Sequence, residues 1–201
     1  MKLQDAEIAS VDIEGNGRQP PEIVEIAVAH LRGVEIGRSR SWLLRPKSPI
    51  TWQAKQIHGI GNKQLVDCPN FVEVQDEILK EIGGRYLLAH NASIEYTMLS
   101  RYFSDWIPLG VIDTLVLARH DRPDLRSHRL EAMIEEFNLQ STLKPIGPGP
   151  HRALFDALAT AHIFRSLLLK RTIPIESIDD VLVSNMSKKD DNATGQQMSL
   201  I

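Results

Sequence analysis

The chain has 201 residues, 42 % hydrophobic and 24 % charged, a balance that excludes a disordered or collagen-like polypeptide and suits one folded domain. Its net charge of −3 argues against wholesale electrostatic wrapping of nucleic acid but leaves room for a local basic groove. Cys68 is the only cysteine, so no intramolecular disulfide is possible; with no apolar signal behind Met1 and no apolar run near the roughly 20 residues that span a bilayer, a cytoplasmic protein without a membrane segment is expected.

Ile8 to Ile13 alternates as a strand and ends at the turn Gly15-Asn16-Gly17, and Ile23 to Leu31 reads as a second strand rich in Ile, Val and Ala. Turn residues from Gly33 to Gly37 lead to a third, Ser41 to Leu44, which predicts an antiparallel meander. After Pro49 the period becomes helical, first over Thr51 to Gln56, then over Phe71 to Ile82 with Phe71, Val74, Ile78 and Ile82 on one face. Gly83-Gly84 stops that helix, and Tyr86 to Ala89 reads as a buried strand. Ser93 to Phe103 reads as a helix capped near Asn91 or Ser93, and Val111-Ile112 as a short strand.

From Arg119 to Arg129 four arginines outnumber two aspartates, which fits either a basic substrate-facing stretch or a solvated helix end or loop. A helix is expected from about Arg129 to Phe137, then a Gly147-Pro148-Gly149-Pro150 loop, then a long helix from Leu154 to Leu169 that Pro150 keeps from starting earlier. Residues 1–185 are taken as the domain and 186–201 as a poorly ordered polar tail. Antiparallel strands followed by strand-helix alternation describe an α/β fold, a mixed sheet flanked by helices with the first strand central and paired on both sides.

Three stretches carry the chemistry. Asp12-Ile13-Glu14 aims two carboxylates to one face of the first strand, because side chains alternate along a strand. In an otherwise apolar strand such a pair needs a cation or strong donors, and oxygen-only ligands suit Mg²⁺ or Mn²⁺. His90-Asn91-Ala92-Ser93-Ile94-Glu95 places Glu95 in the first turn of a helix, where an acid is also favoured by the helix dipole alone. His151 and Asp156 lie about 140° apart on an ideal helix, so both reach one site only if His151 sits on the preceding loop. Taken singly, each stretch also reads as ordinary surface acids and histidines.

Together, in this order and spacing, the three resemble the DEDDh family of 3′ to 5′ exonucleases, which includes ribonuclease T and oligoribonuclease: Asp-x-Glu at Asp12 and Glu14, His-Asn at His90-Asn91 with position 95, and His-x-x-x-x-Asp at His151 and Asp156. Pro21-Glu22-Ile23-Val24-Glu25-Ile26, His58-Gly59-Ile60, Asp113-Thr114 and Arg129-Leu130-Glu131 add to the match, which spans Ile8 to Leu169. One position departs: Glu95 stands where the family has aspartate and is one methylene longer.

The resemblance implies a ribonuclease H-like exonuclease fold with a five-stranded sheet. It implies two divalent ions, Mg²⁺ or Mn²⁺, with Asp12 between both, Glu14 and Asp156 on the side of the attacking water, Glu95 in support and His151 as general base. It further implies release of nucleoside 5′-monophosphates from single-stranded 3′ ends, with DNA favoured over RNA. Gly15, Asn16, His58, Ile60 and Asn91 are the implied substrate contacts, and a homodimer the implied assembly. Trimming of RNA, and a non-catalytic nucleic-acid-binding module with a weakened metal site, are the competing readings.

Overall fold

The computed structural model describes residues 1–144, 149–171 and 175–183. Strands β1 (Glu7–Gly15), β2 (Ile23–Arg32), β3 (Glu35–Leu43), β4 (Tyr86–Ala89) and β5 (Val111–Asp113) form one sheet in the order β3-β2-β1-β4-β5. The first three pair antiparallel; β4 runs parallel to β1, and β5 parallel to β4. β1 is therefore the centre, as expected. The helices are α1 (Trp52–His58), α2 (Phe71–Ile82), α3 (Ser93–Tyr102), α4 (Thr114–Asp121), α5 (Leu130–Glu136), α6 (Gln140–Leu143) and α7 (Ala153–Leu169). None among the described residues is long and apolar enough to cross a membrane.

Alternation along β1 divides the core. Ala9 and Val11 join Ile26, Val28, Ile78, Leu87 and Leu99 on the face covered by α2 and α3. Ile8 looks the other way, into a cluster with Leu88, Ile112, Met133, Ile163 and Phe164 under α4, α5 and α7. That second face places Ser10, Asp12 and Glu14 beneath α7. Helix α7 can lie close because Ala153 and Ala157 meet Ala27 there, and Ser10 Oγ donates to Ala157 O at 2.8 Å. Its lack of a polar stripe follows from burial on the sheet side and on the side of α4 to α6.

Several elements differ from the sequence reading. β3 begins at Glu35, because the Gly33-Val34 turn is only two residues long and edge pairing with β2 carries a strand whose side chains are mostly exposed and polar. Helix α4 went unpredicted; Asp113 caps it, its carboxylate accepting from Leu115 N at 2.8 Å and Val116 N at 3.4 Å. The four-residue α6 also went unpredicted. Neither Asn91 nor Ser93 caps α3. Asp113 instead accepts from Asn91 N at 3.0 Å and Ala92 N at 2.9 Å, across to the neighbouring strand. Gly147-Pro148 and the expected tail lie outside the described residues. Phe164 is fully buried at the centre of the larger cluster; Phe164→Ala should lower the unfolding free energy by about 3–5 kcal/mol, measured by urea denaturation.

Candidate active site

Four acids reach one place from three elements. Asp12 and Glu14 come from the carboxyl half of β1, Asp156 from the first turn of α7 and Glu95 from the first turn of α3. Single ligand atoms of Glu14, His151 and Asp156 all lie within 4.8 Å of one another. Asp12 joins them electrostatically: burial pushes its carboxyl well above the usual range, helped by Asp156, Glu95 and Glu14 in that order. Glu14 is pushed up to about 8 by burial and by Asp156 and Glu25, partly offset by Arg152. Burial, then Asp113, raises Glu95 to about 8, and burial raises Asp156 to about 6 against the pull of His151.

Among the described residues the positive groups acting on these acids are His151, on Asp156, and Arg152, on Glu14, and Arg152 is already engaged by Glu25. Glu95 Oε2 is buried without a hydrogen-bond partner. A buried carboxylate oxygen left unsatisfied amid like charges costs free energy unless something positive meets it. Oxygen donors, crowding and unmet charge suit a hard divalent cation, so the residue set fits the Mg²⁺ or Mn²⁺ expected from the sequence.

His151 sits just ahead of α7 with φ of 59°, in the left-handed region that a non-glycine residue rarely takes. Its backbone N–H donates to Asp156 Oδ2 at 2.9 Å, and its half-exposed ring lies 3.5 Å from Glu131 Oε1. The helix geometry that would have kept His151 and Asp156 apart is thus avoided, since the histidine belongs to the turn and the aspartate to the helix. Next to it, Arg152 forks onto Glu25 at 2.9 Å (Nε) and 2.8 Å (Nη2), and Ala153 N adds a third bond at 3.0 Å. Glu25 faces Glu14 across the β1–β2 ladder. This fifth acid is therefore satisfied by the start of α7.

The exonuclease family model, that of RNase T, matches residues 4–164. The chain belongs to the DEDDh family of 3′ to 5′ exonucleases. This DEDDh exonuclease is similar to the DNA polymerase III subunit epsilon of Aquifex aeolicus, with 28 % identity over 83 % of the chain and 82 % of that protein. It is equally similar, at 28 %, to the PolC-type DNA polymerase III of Bacillus subtilis, of whose length it spans only 12 %. Among solved structures, exonuclease X in complex with 5′ overhanging duplex DNA superposes with a TM-score of 0.66 at 28 % identity, covering 90 % of this chain and 99 % of that one. The nuclease domain of 3'hExo, a DEDDh family member bound to rAMP, shares the fold at 20 % identity and a TM-score of 0.65, over 85 % and 96 % of the two chains.

The substrate contacts expected from the sequence separate into two groups. Gly15 ends β1 beside the acids, and Asn91 sits with φ of 75° at the head of α3. His58 is buried; its Nδ1 accepts from Ile60 N at 3.0 Å, which leaves the proton of a neutral ring on Nε2, facing the Gly15 backbone without a full hydrogen bond. Asn16 and Ile60 do not offer their side chains. Asn16 is wholly buried, its Nδ2 reaching Glu22 and Ser48 O and its Oδ1 accepting from Arg18 N and Glu22 N, so it organises the loop. Ile60 is packed among Val24, Ile50, Ala54 and Leu65.

Two residues that the sequence offers only within lesser family matches, and not as site residues, hold the site in position: Glu25, which anchors the start of α7, and Asp113, which joins the His90–Ala92 turn to α4. Arg152→Ala should strand the buried Glu25 carboxylate beside Glu14 and cost about 3–5 kcal/mol in chemical denaturation. The raised acids also set a pH dependence. Glu14 and Glu95 rise from 4.5 to about 8 and Asp156 from 3.8 to about 6 on folding, so the folded state holds extra protons in that window. The contribution of these acids to the stability of the metal-free protein is then fully present below about pH 4 and is lost as pH rises toward 8. Thermal melts should show this decline, and Mg²⁺ or Mn²⁺ should raise the melting temperature more at pH 8 than at pH 5.

Proposed function

We propose that the protein is a metal-dependent exonuclease that removes nucleoside 5′-monophosphates from the 3′ ends of single-stranded DNA. The observation that carries this reading is the convergence of Glu14, His151 and Asp156 within 4.8 Å, with Asp12 and Glu95 coupled to them. Asp12, Glu14, Glu95 and Asp156 would hold two divalent ions, Mg²⁺ or Mn²⁺. When bound, these supply positive charge against the negative charge that develops on the phosphoryl oxygens.

His151 takes a proton from the attacking water as its oxygen bonds to the terminal phosphorus. The bond from phosphorus to the 3′ oxygen of the preceding nucleotide breaks, that oxygen is protonated, and a shortened strand with a new 3′-hydroxyl leaves. A ring held on a turn, half exposed and braced by Glu131, is placed to accept and release that proton. Gly15, His58 and Asn91 are the groups assigned to the terminal nucleotide. DNA is favoured because the similar proteins carry DNA polymerase names and exonuclease X was solved with DNA. The same kinship supports a cytoplasmic site of action.

Matched 3′-labelled DNA and RNA oligonucleotides, with Mg²⁺ or Mn²⁺ and with chelator, test the proposal. Stepwise shortening of the DNA only when metal is present is expected. Dominant cleavage of RNA would redirect the substrate assignment, and an intact strand that is still retarded on a gel would replace catalysis with binding. His151→Ala should lower kcat by about 10²–10⁴, while Glu95→Asp, which restores the family's residue, should leave activity equal or higher.

A further inference from the structure

The arginine-rich stretch between Arg119 and Arg129 is sorted by the fold into paired and unpaired charge. Arg122 is held by Asp124 and by Glu136, and Asp121 by the Arg171 fork at 2.7 and 2.8 Å. Both aspartates of the stretch are thereby engaged inside the protein. Arg119, Arg126 and Arg129 are exposed, and none has an ion pair to a carboxylate among the described residues. On a chain of net charge −3 this is a local excess of cations.

The stretch is fastened to the catalytic centre. His90, immediately before Asn91, lies 2.9 Å through Nε2 from His128 O and 2.8 Å through Nδ1 from Thr114 Oγ1 at the head of α4. Burial keeps that ring neutral, so Nε2–H donates to the carbonyl and Nδ1 accepts from the hydroxyl; Arg119 is close enough to act on the same ring. The His128 ring bonds Arg122 O at 2.8 Å and closes the stretch on itself. Glu131, two residues beyond Arg129, braces His151. The three free cations thus stand on backbone pinned to the rim of the acid cluster.

We propose that Arg119, Arg126 and Arg129 form a phosphate-binding rail for the substrate strand. This rests on the exonuclease reading above. An enzyme that cuts the terminal 3′ bond leaves the strand only one direction in which to run, so every phosphate beyond the scissile one lies on its 5′ side. Guanidinium forks on those phosphates bind without regard to sequence. They also offset the repulsion between a polyanion and a site made of carboxylates.

The test compares a long single-stranded oligonucleotide with a dinucleoside monophosphate, whose single phosphate is the one being cut. Arg119→Gln/Arg126→Gln/Arg129→Gln should raise KM for the oligonucleotide, leave kcat unchanged, and leave dinucleotide hydrolysis unchanged. Each phosphate contact on a single strand contributes roughly 0.7 to the slope of log affinity against log salt, so losing three flattens it by about 2. Between 50 and 200 mM salt the parent should therefore lose about twentyfold more affinity than the variant. The matching triple lysine variant should restore the slope, which a structural role for the guanidinium groups would not do. An unchanged KM and salt slope, or equal loss on both substrates, would overturn the rail. If the parent cleaves neither substrate, the exonuclease reading falls and the rail with it.

Discussion

Like charges forced together govern this molecule. Burial raises the proton affinity of Asp12, Glu14, Glu95 and Asp156, and the neighbouring acids raise that of Asp12 and Glu14 further. Such an arrangement is unfavourable for the isolated chain and needs a rigid frame. The frame has three fastenings: Ser10 bonded to α7, the Glu25 carboxylate gripping Arg152 and Ala153, and Asp113 tying the α3 turn to α4. Each joins segments distant in sequence, and each lies within a residue or two of a site group or of the backbone that carries it.

Much of this is legible in the amino-acid sequence. Period-two alternation marked β1 and the shared face of Asp12 and Glu14, and the helical period placed α2 at its observed bounds. The five-residue gap between His151 and Asp156 required a loop-to-helix junction, and the structure has one. What could not be read was long-range. Asp113 as the tie between the turn before α3 and the head of α4, and Glu25 as the anchor of α7, depend on partners 21 and 128 residues away. Strand β3 was shortened because an exposed edge carries no hydrophobic pattern, its order coming from backbone pairing. Asn16 and Ile60 were matched to the family as substrate contacts, yet burial gives them to the loop and to the core.

The kinship with polymerase polypeptides also gains a physical meaning. In the PolC-type relatives a region similar to this chain makes up about an eighth of the protein, whereas the epsilon-like relative is matched over most of its length. The fold explains why such a region can stand in both settings. Its sheet is covered on both faces by its own helices, and its acids are framed entirely by bonds within the unit.

The order of the elements has a consequence for how the protein is made. β1 leaves the ribosome early with Asp12 and Glu14, but His151 and Asp156 arrive on the turn and helix that come last among the site-bearing segments. A growing polypeptide therefore carries half a blade, with no partner for its first two acids, until α7 has emerged and docked. The crowded charge is thus completed only when α7 docks, onto a sheet whose strands have already been made.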